Sequence, residues 1–387
     1  MALDRRSVEF RVIALAVRTG LGLAPFPDDW LEGKTPDWSL VLAGAKAHRV
    51  APLVADGLAS VYPVPPPVAE ALARMARQDA VRCLALVGET LRFHDLFAAA
   101  GIRGLVLKGV VLSQSLHGDP ARRSSCDVDV WIDPARIEEG HRLLIDGRYL
   151  SLEAGPPEHL SQAPLAAHHW RYRAPSGVLV ELHQDLFPRK GRFDLDFATA
   201  WKERQDVMLG GVSIPTLPAA ALPVYLCAHG AYHRWRRLFW LADMAMLLRD
   251  EGAAAAAVAA ARPQGLAEAM MLAVSLTHLM FGVPEGADPP TRAAKAIRFA
   301  NSLAIDPQDR PPPRGTRAWF REEMRERIHR YTVKPTARHV LSELVADLRD
   351  PVDRPLFNLP HQLAFLYPLL RPVGWVRRNF HGRGPER

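Results

Sequence analysis

The stretch Cys126-Asp-Val-Asp-Val-Trp-Ile132 alternates polar and apolar residues in the manner of a half-buried β-strand. Side chains on a strand alternate between its faces, so we expect Asp127 and Asp129 to project to one side and the intervening valines to enter the core. Two carboxylates held this close repel each other unless a cation lies between them. Mg²⁺, or Mn²⁺ in its place, suits that role because it prefers oxygen ligands and shares its coordination shell with phosphates.

Donor residues surround this strand in the sequence. Leu105-Val-Leu-Lys-Gly109 predicts a short strand that runs into the start of a helix, where free backbone N–H groups and the helix dipole attract phosphate. Two arginines and two serines come directly before the aspartates and place further hydrogen-bond donors there. The residues that we expect to bind phosphate are Lys108, Gly109, Arg122, Arg123, Ser124 and Ser125.

A third carboxylate stands in the apolar stretch Val178-Leu-Val-Glu-Leu-His183, which predicts another strand. A glutamate inside such a strand is costly when it stays unpaired, so we expect Glu181 to have a partner. A metal ion shared with Asp127 and Asp129 is one such partner, and an edge position facing water is the alternative. His183, at the end of the stretch, is a candidate pocket residue.

In this order the motifs resemble those of the DNA polymerase beta-like nucleotidyltransferases, which have glycine at a strand-to-helix turn, an Asp-x-Asp strand and a third carboxylate on a later strand. The chain resembles more closely the uncharacterised bacterial nucleotidyltransferase family, in which a helical N-terminal region leads into the motifs. The resemblance spans roughly residues 35 to 250. The matching motifs are Leu107-Lys-Gly109, Arg122 with Arg123, Asp127 with Asp129, Glu181-Leu-His183 and Trp240-Leu-Ala-Asp243.

The resemblance implies a Mg²⁺-dependent enzyme that moves a nucleoside monophosphate from an NTP to an acceptor hydroxyl and releases pyrophosphate. It assigns catalysis and metal binding to Asp127, Asp129 and Glu181. The acceptor stays open between a small molecule, a peptide or protein, and an RNA end. Two alternatives also stay open: a toxin-type nucleotidyltransferase that acts on tRNA or on a protein, and a non-catalytic scaffold that binds a nucleotide.

A second group of polar and aromatic residues follows at helical spacing. Intervals of four, three, four and three residues would place its members on one face of a single continuous helix. We expect this face to border the nucleotide pocket, with the arginine near phosphate and the tryptophan near the base or the acceptor. The alternative is a structural role, in which the aspartate hydrogen-bonds to a buried histidine and the tryptophan packs. The group consists of His229, His233, Arg236, Trp240 and Asp243.

The composition is that of an ordinary folded protein, with 48% hydrophobic and 24% charged residues in a chain of 387. The net charge of +7 permits binding to nucleic acid, to anionic lipid or to a polyphosphate substrate and does not choose among them. The three cysteines form no CxxC pair, so we expect neither a disulfide framework nor a zinc knuckle, and we expect a reducing, cytoplasmic location. Prolines interrupt the uncharged stretch from Met208 to His233, so we expect no transmembrane segment there. The oligomeric state cannot be read from these patterns.

We expect an α+β fold in which a small mixed-sheet core is flanked by N-terminal and C-terminal helical regions. Trp170–Ala174 and Gly177–Leu182 predict a hairpin in this core. The prolines between Pro307 and Gly315 indicate a linker. The expected regions are a helical one over 1–97, a nucleotidyltransferase α/β core over 98–215, a helical region bordering the active site over 216–306 and a C-terminal helical extension over 307–387.

Overall fold

Helices precede and follow a mixed β-sheet, which is the α+β arrangement that the sequence predicts. The computed structural model describes residues 7–28, 34–59, 61, 64–152, 169–189, 191–284, 313, 315–349, 354–357, 359 and 361–377. The helices before the sheet are α1 (Val8–Gly20), α2 (Trp38–Ala47), α3 (Ala51–Leu58) and α4 (Pro66–Ala99). The strands are β1 (Gly104–Val106), β2 (Asp127–Ile132), β3 (Leu150–Ser151), β4 (His169–Arg173), β5 (Leu179–His183), β6 (Gln205–Leu209) and β7 (Val212–Thr216).

Further helices lie between the strands and after them. Those between the strands are α5 (Val110–His117), α6 (Ile137–Asp146) and α7 (Phe197–Lys202). Those after the sheet are α8 (Leu222–Tyr232), α9 (Leu238–Leu248), α10 (Ala253–Ala261), α11 (Ala267–Phe281), α12 (Arg317–Thr332), α13 (Ala337–Arg349), α14 (Arg354–Phe357) and α15 (Tyr367–Val376). Short 3₁₀ turns occupy Pro134–Arg136 and His361–Leu366.

The first two N-terminal helices begin at polar caps, and α1 packs tightly on α3. The side chain of Ser7 accepts a hydrogen bond from the backbone of Phe10 at the start of α1, and the side chain of Asp37 caps α2 in a similar way. Helices α1 and α3 approach so closely that a Cβ on Gly57 would overlap the carbonyl oxygen of Ala16. Glycine at that position therefore lets the two backbones touch, and the pair joins a core shared with α8, α9 and α11.

The sheet has seven strands in the described part of the chain, in the order β3-β4-β5-β2-β1-β7-β6. β2 runs parallel to β5 and β1 to β7, while the other neighbours are antiparallel, so the sheet is mixed as predicted. The predicted hairpin is confirmed as β4 and β5, closed by a hydrogen bond of 2.8 Å from the Ala174 N–H to the Val178 carbonyl. Asp129 of β2 lies directly opposite Glu181 of β5, so both carboxylates project to one face.

The two faces of the sheet bury different cores. Val128 and Val130 of β2 are 3% and 1% exposed and lie with Val180 of β5 in a core that includes residues of α4 and α6. The predicted alternation of β2 is therefore confirmed. Trp131 points to the other face and packs in the larger core with residues of α8 and α9. The carboxylates share the face of Trp131 and thus lie on the side of the sheet where the later helices pack.

The chain between α8 and α9 is not the single continuous helix that the spacing predicts. A linker of residues 233–237 separates the helices, and Arg234 and Trp235 within it have positive φ angles of 56° and 49°. Trp235 is fully buried, and its ring fills the space that a side chain on Gly230 would need. Burial of this indole turns the chain and overrides the local helical preference. His229 consequently lies on α8, His233 and Arg236 lie in the linker, and Trp240 and Asp243 lie on α9.

The C-terminal helices attach to the rest of the protein through charged side chains. Glu343 of α13 is 1% exposed and accepts hydrogen bonds of 2.7 and 2.8 Å from Arg192, in the segment after β5. Arg189 in the same segment also pairs with Glu343. Arg234 of the 233–237 linker pairs with Glu322 of α12. α12 and α13 therefore contact two segments that adjoin the elements carrying the predicted site residues.

The predicted region boundaries can be compared with the observed elements. α4 ends at Ala99 and β7 ends at Thr216, close to the predicted limits of the core at 98 and 215. The division of the chain into separate domains stays a prediction. The boundary between 306 and 307 lies outside the described residues, as does most of the predicted Pro307–Gly315 linker. None of the helices in the described part of the chain combines the length and the apolar composition of a membrane-spanning segment.

Candidate active site

Carboxylates and a lysine meet at the centre of the sheet. Asp129 is fully buried, and its Oδ1 lies 3.2 Å from Nζ of Lys108, which follows β1 by two residues. A hydrogen bond of 3.0 Å from the Leu107 N–H to the Asp129 carbonyl holds this segment beside β2. Glu181 stands opposite Asp129, and Asp127 precedes Asp129 by two residues on the same face. The residues predicted to hold a metal are therefore neighbours in the fold.

A glycine turn leads from β1 into α5 next to these residues. Gly109 has a φ of 73° and a ψ of −138°, a backbone conformation that residues with a side chain rarely adopt. The turn also passes close to β2, since a Cβ on Gly109 would lie 3.4 Å from the carbonyl oxygen of Asp127. The predicted strand-to-helix turn is confirmed, and it starts α5 beside the first residue of β2.

A histidine that the motifs mark only as a pocket residue contacts two of the carboxylates. Nε2 of His183 lies 3.2 Å from Oδ1 of Asp129 and 3.6 Å from Oε2 of Glu181. Its ring stacks on the ring of His169, with centroids 5.0 Å apart. The possible ligand atoms of Asp129, Glu181 and His183 all lie within 4.8 Å of one another, so these three residues can hold one metal ion.

Charges of opposite sign set the protonation of the site. Burial opposes ionisation of Asp129, but the Lys108 ammonium and His183 outweigh burial and hold the pKa of Asp129 well below its ordinary value. In return, the charge of Asp129 raises the pKa of Lys108 although burial disfavours the ammonium. Burial and the charge of Asp129 raise the pKa of Asp127 to about 6. Three carboxylates thus face Lys108 and His183, which leaves negative charge for a further cation.

One buried carboxylate oxygen has no hydrogen-bond partner among the described residues. Oδ2 of Asp129 is buried without one, whereas Lys108 and His183 share Oδ1. A buried charged oxygen without a partner is costly, and a divalent cation would satisfy it. The oxygen donors of Asp127, Asp129 and Glu181 suit Mg²⁺ or Mn²⁺. The residues present therefore fit the metal that the sequence predicts.

Protein partners hold the residues that come just before β2. Arg123 is buried, and its Nε lies 2.9 Å from each carboxylate oxygen of Asp243 on α9. This pair fixes the loop to the helix and turns the guanidinium toward a protein carboxylate. Phosphate binding by the four residues of the loop stays a prediction. Other side-chain contacts of this loop include those of Arg122 with Asp56, Ser124 with Asp79, and Ser125 with Arg123.

Three aromatic side chains come together where α8 meets α9. The ring centroids of His229 and His233 lie 4.6 Å apart, and the ring of Trp240 stacks on His233 at 5.1 Å. Burial and the charge of Lys108 hold the pKa of His229 well below its ordinary value. This imidazole is therefore neutral near pH 7 and lies within electrostatic reach of the carboxylates. That these three rings border a nucleotide pocket stays a prediction.

The other two members of the second group have different surroundings. The exposed guanidinium of Arg236 pairs with Glu326 of α12 and lies 3.9 Å from Glu322. Its predicted place near phosphate stays a prediction. Asp243 lies against Arg123, so the alternative in which Asp243 bonds to a buried histidine is wrong. The spacing could not reveal this partner, because the arginine lies 120 positions earlier in the chain.

Tyr225 of α8 lies within electrostatic reach of the site and is not indicated by the motifs. It is 1% exposed, and burial, opposed by Lys108 and assisted by Asp129, raises the pKa of its hydroxyl to about 12. It stands one helical turn before His229, so the i, i+4 rule applied backward from that histidine would have located it. The contact of His183 with the carboxylates follows from its i+2 spacing to Glu181 on a strand.

Comparison with known proteins agrees with this geometry. Residues 34–282 match the model of a family described as "Uncharacterised nucleotidyltransferase", so the class is that of the nucleotidyltransferases. Because the match covers well over half of the 387 residues, the chain belongs to this family. The match includes the whole sheet and ends before α12. No curated protein and no solved structure matches the chain.

Proposed function

We propose that the protein is a bacterial enzyme of the DNA polymerase beta-like superfamily that transfers a nucleoside monophosphate from an NTP to an acceptor hydroxyl. The supporting observation is the pairing of Asp129 with Glu181 across β2 and β5, with Lys108 on the same aspartate. Mg²⁺ or Mn²⁺ held by Asp127, Asp129 and Glu181 would supply Lewis-acid chemistry at the phosphate and would lower the pKa of the acceptor hydroxyl. The free cysteines agree with a reducing, cytoplasmic location.

The chain's own residues account for substrate binding and proton transfer in this proposal. The ammonium of Lys108 and the turn at Gly109 bind the triphosphate and neutralise the charge that develops on the departing pyrophosphate. The acceptor oxygen attacks the α-phosphorus while the bond from that phosphorus to the bridging oxygen breaks. The proton of the acceptor hydroxyl passes to the carboxylate of Glu181. The rings of His229 and Trp240 contact the base or the acceptor.

Replacement of the buried aspartate tests the proposal. Asp129→Asn removes a negative charge with little change of shape, so Mg²⁺-dependent NTP affinity should fall at least about tenfold, or about 1.4 kcal/mol. Calorimetric titrations of each NTP, with and without Mg²⁺, measure this coupling. The matched control Asp250→Asn replaces an aspartate whose side chain is 84% exposed and should bind as the wild type does. Equal Mg²⁺-dependent affinity in Asp129→Asn and the wild type would exclude the proposal.

Product analysis identifies the acceptor. The protein is incubated with each NTP, Mg²⁺ and a cell extract, and mass spectrometry searches for molecules heavier by one nucleoside monophosphate. A modified small molecule supports a biosynthetic enzyme, whereas a modified tRNA or protein supports the toxin-type alternative. NTP binding without any product in the presence of Mg²⁺ or Mn²⁺ would leave the scaffold alternative and refute catalysis.

A further inference from the structure

His183 is held against the carboxylates by its surroundings on the sheet. It is 5% exposed, it stands two residues after Glu181 on β5, and its ring is stacked on His169 with an interplanar angle of 28°. Its Nε2 lies between two carboxylate oxygens, at 3.2 Å from Asp129 and 3.6 Å from Glu181. The nitrogen is therefore placed in the candidate metal site by rigid secondary structure.

These separations suit ligands that share one ion. Two adjacent ligand atoms at about 2.1 Å from a metal lie about 3 Å apart in an octahedral shell and about 3.4 Å apart in a tetrahedral one. The two separations from Nε2 of His183 lie close to this range. All three ligand atoms lie within 4.8 Å of one another, so a single ion between them is within reach of all three side chains.

The kind of donor decides which ion is preferred. Mg²⁺ favours oxygen ligands and loses its water reluctantly, whereas imidazole nitrogen is a better ligand for divalent transition metals. We propose that Asp129, Glu181 and His183 form a nitrogen-containing metal position that prefers a divalent transition-metal ion, of which Mn²⁺ is the probe, over Mg²⁺. Asp127 lies outside this three-residue group among the described residues and, with Asp129, offers a position with oxygen ligands alone. The inference rests on the proposed function, and it adds a position with a nitrogen ligand to the carboxylate position proposed there.

Pulsed electron paramagnetic resonance of the full-length protein with Mn²⁺ tests direct coordination. Electron spin-echo envelope modulation detects nitrogen that is bonded to the ion, and the wild type should show such a coupling. His183→Gln keeps an oxygen donor and removes the nitrogen, so the coupling should vanish. His94→Gln, which replaces a partly exposed histidine of α4, should retain the coupling and serves as the matched control.

Metal titrations give a second, independent measurement. In calorimetry, the preference of the protein for Mn²⁺ over Mg²⁺ should fall at least about tenfold in His183→Gln and stay unchanged in His94→Gln. A wild-type spectrum without nitrogen coupling, or no Mn²⁺ binding at all, would overturn the inference whether or not the variant folds. If Mn²⁺ binds but the spectrum of the wild type lacks the nitrogen coupling, His183 orients the carboxylates and does not bind the ion.

The two proposals can fail separately. If Mg²⁺-dependent NTP binding and product formation are present but the Mn²⁺ spectrum lacks nitrogen coupling, the proposed function stands and the nitrogen-containing position is refuted. If the coupling is present but no NTP binds, the metal position stands and the proposed function is refuted.

Discussion

The ammonium of Lys108 contacts the carboxylate of Asp129, which is also a ligand of the proposed metal ion. It contacts Oδ1 of Asp129 at 3.2 Å, and the carboxylate charge holds it protonated despite burial. A metal ion bound by Asp129 and the ammonium repel each other at such short range. A triphosphate relieves this conflict because its oxygens attract both cations. Lys108 therefore links metal binding to NTP binding.

Replacement of Lys108 separates these two effects. Lys108→Met removes one charge-assisted contact worth about 1.5–3 kcal/mol, so NTP affinity should fall roughly ten- to a hundredfold. Mn²⁺ affinity in the absence of nucleotide should rise, because the competing ammonium is gone. Titrations with Mn²⁺, NTP and nucleoside measure both effects, and Lys46→Met on the exposed side of α2 is the control. Equal losses for NTP and nucleoside would mean that Lys108 supports the fold and does not contact phosphate.

The loop before β2 is tied to α9 by one buried ion pair. The side chains of Arg123 and Asp243 are 7% and 3% exposed, and the guanidinium also lies 4.7 Å from the ring centroid of Phe239. Removal of one partner from such a pair leaves an uncompensated buried charge, which typically costs about 3–5 kcal/mol. The pair therefore helps to fix the beginning of the strand that carries the aspartates.

Asp243→Leu should lower the free energy of unfolding by about 3–5 kcal/mol, measured by urea denaturation. The double variant Arg123→Met with Asp243→Leu should recover part of this loss, because no charge is left buried. Asp250→Asn, which alters the exposed pair of Arg249 and Asp250, is the control and should unfold as the wild type does. A double variant as unstable as the sum of the two single variants would contradict the interpretation.

A buried histidine couples α6 to the sheet and makes stability depend on pH. His141 is 3% exposed, Nδ1 lies 2.6 Å from the Tyr172 hydroxyl, and burial lowers the pKa of the imidazole below its ordinary value of 6.5. In the unfolded chain this histidine takes up a proton as the pH falls below about 6.5, while in the folded protein it takes up the proton only at a lower pH. Its contribution to stability is therefore complete above that pH and decreases as the pH falls.

The variant His141→Gln should show a shallower loss of stability between pH 7.5 and pH 5 than the wild type. Chemical denaturation across that range measures the free energy of unfolding of both proteins. Tyr172→Phe keeps the imidazole and removes its hydrogen-bond partner, so it should be less stable throughout while keeping the pH dependence of the wild type. Parallel curves for His141→Gln and the wild type would show that His141 does not contribute to the pH dependence.

At the scale of the element, the sequence predicts what depends on local spacing. The period of two in β2 predicts the common face of Asp127 and Asp129, and the Lys108-Gly109 pair predicts the turn into α5. The prediction of a continuous helix through 229–243 is wrong because Trp235 is buried against α8. That burial is a tertiary contact, which local spacing does not reveal. The partners of the residues before β2 could not be predicted from local spacing either, because Arg123 binds an aspartate of a helix that lies far away in the sequence.

At the scale of the whole molecule, charge pairs join the C-terminal helices to the family domain. α12 and α13 lie beyond the matched residues 34–282, yet Glu343 binds Arg189 and Arg192, which belong to the matched part. Burial of Glu343 depends on these arginines, because they outweigh its desolvation and lower the pKa of its carboxyl. Loss of the carboxylate charge would remove the carboxylate that Arg192 binds and would leave Arg189 with Asp347.

Glu343→Gln should therefore loosen α12 and α13 without unfolding the sheet. Hydrogen–deuterium exchange should become faster in these two helices and stay unchanged in β2 and β5. The control is Glu323→Gln, because this glutamate of α12 pairs with Arg327 of the same helix. Among the described residues, it makes no ion pair with the matched part, residues 34–282. Faster exchange throughout the sheet would show instead that the C-terminal helices and the core unfold as one unit.

The parallel register of β2 and β5 couples the integrity of the site to that of the core. A shift of β2 by one residue against β5 would turn Asp127 and Asp129 into the apolar layer beneath α4 and would bring Val128 and Val130 to the face that carries Glu181. Such a molecule would be unstable as well as inactive. In a cell, chains with slipped strands would then be degraded by proteases that recognise unfolded segments, and they would not accumulate as well-folded but inactive competitors for substrate.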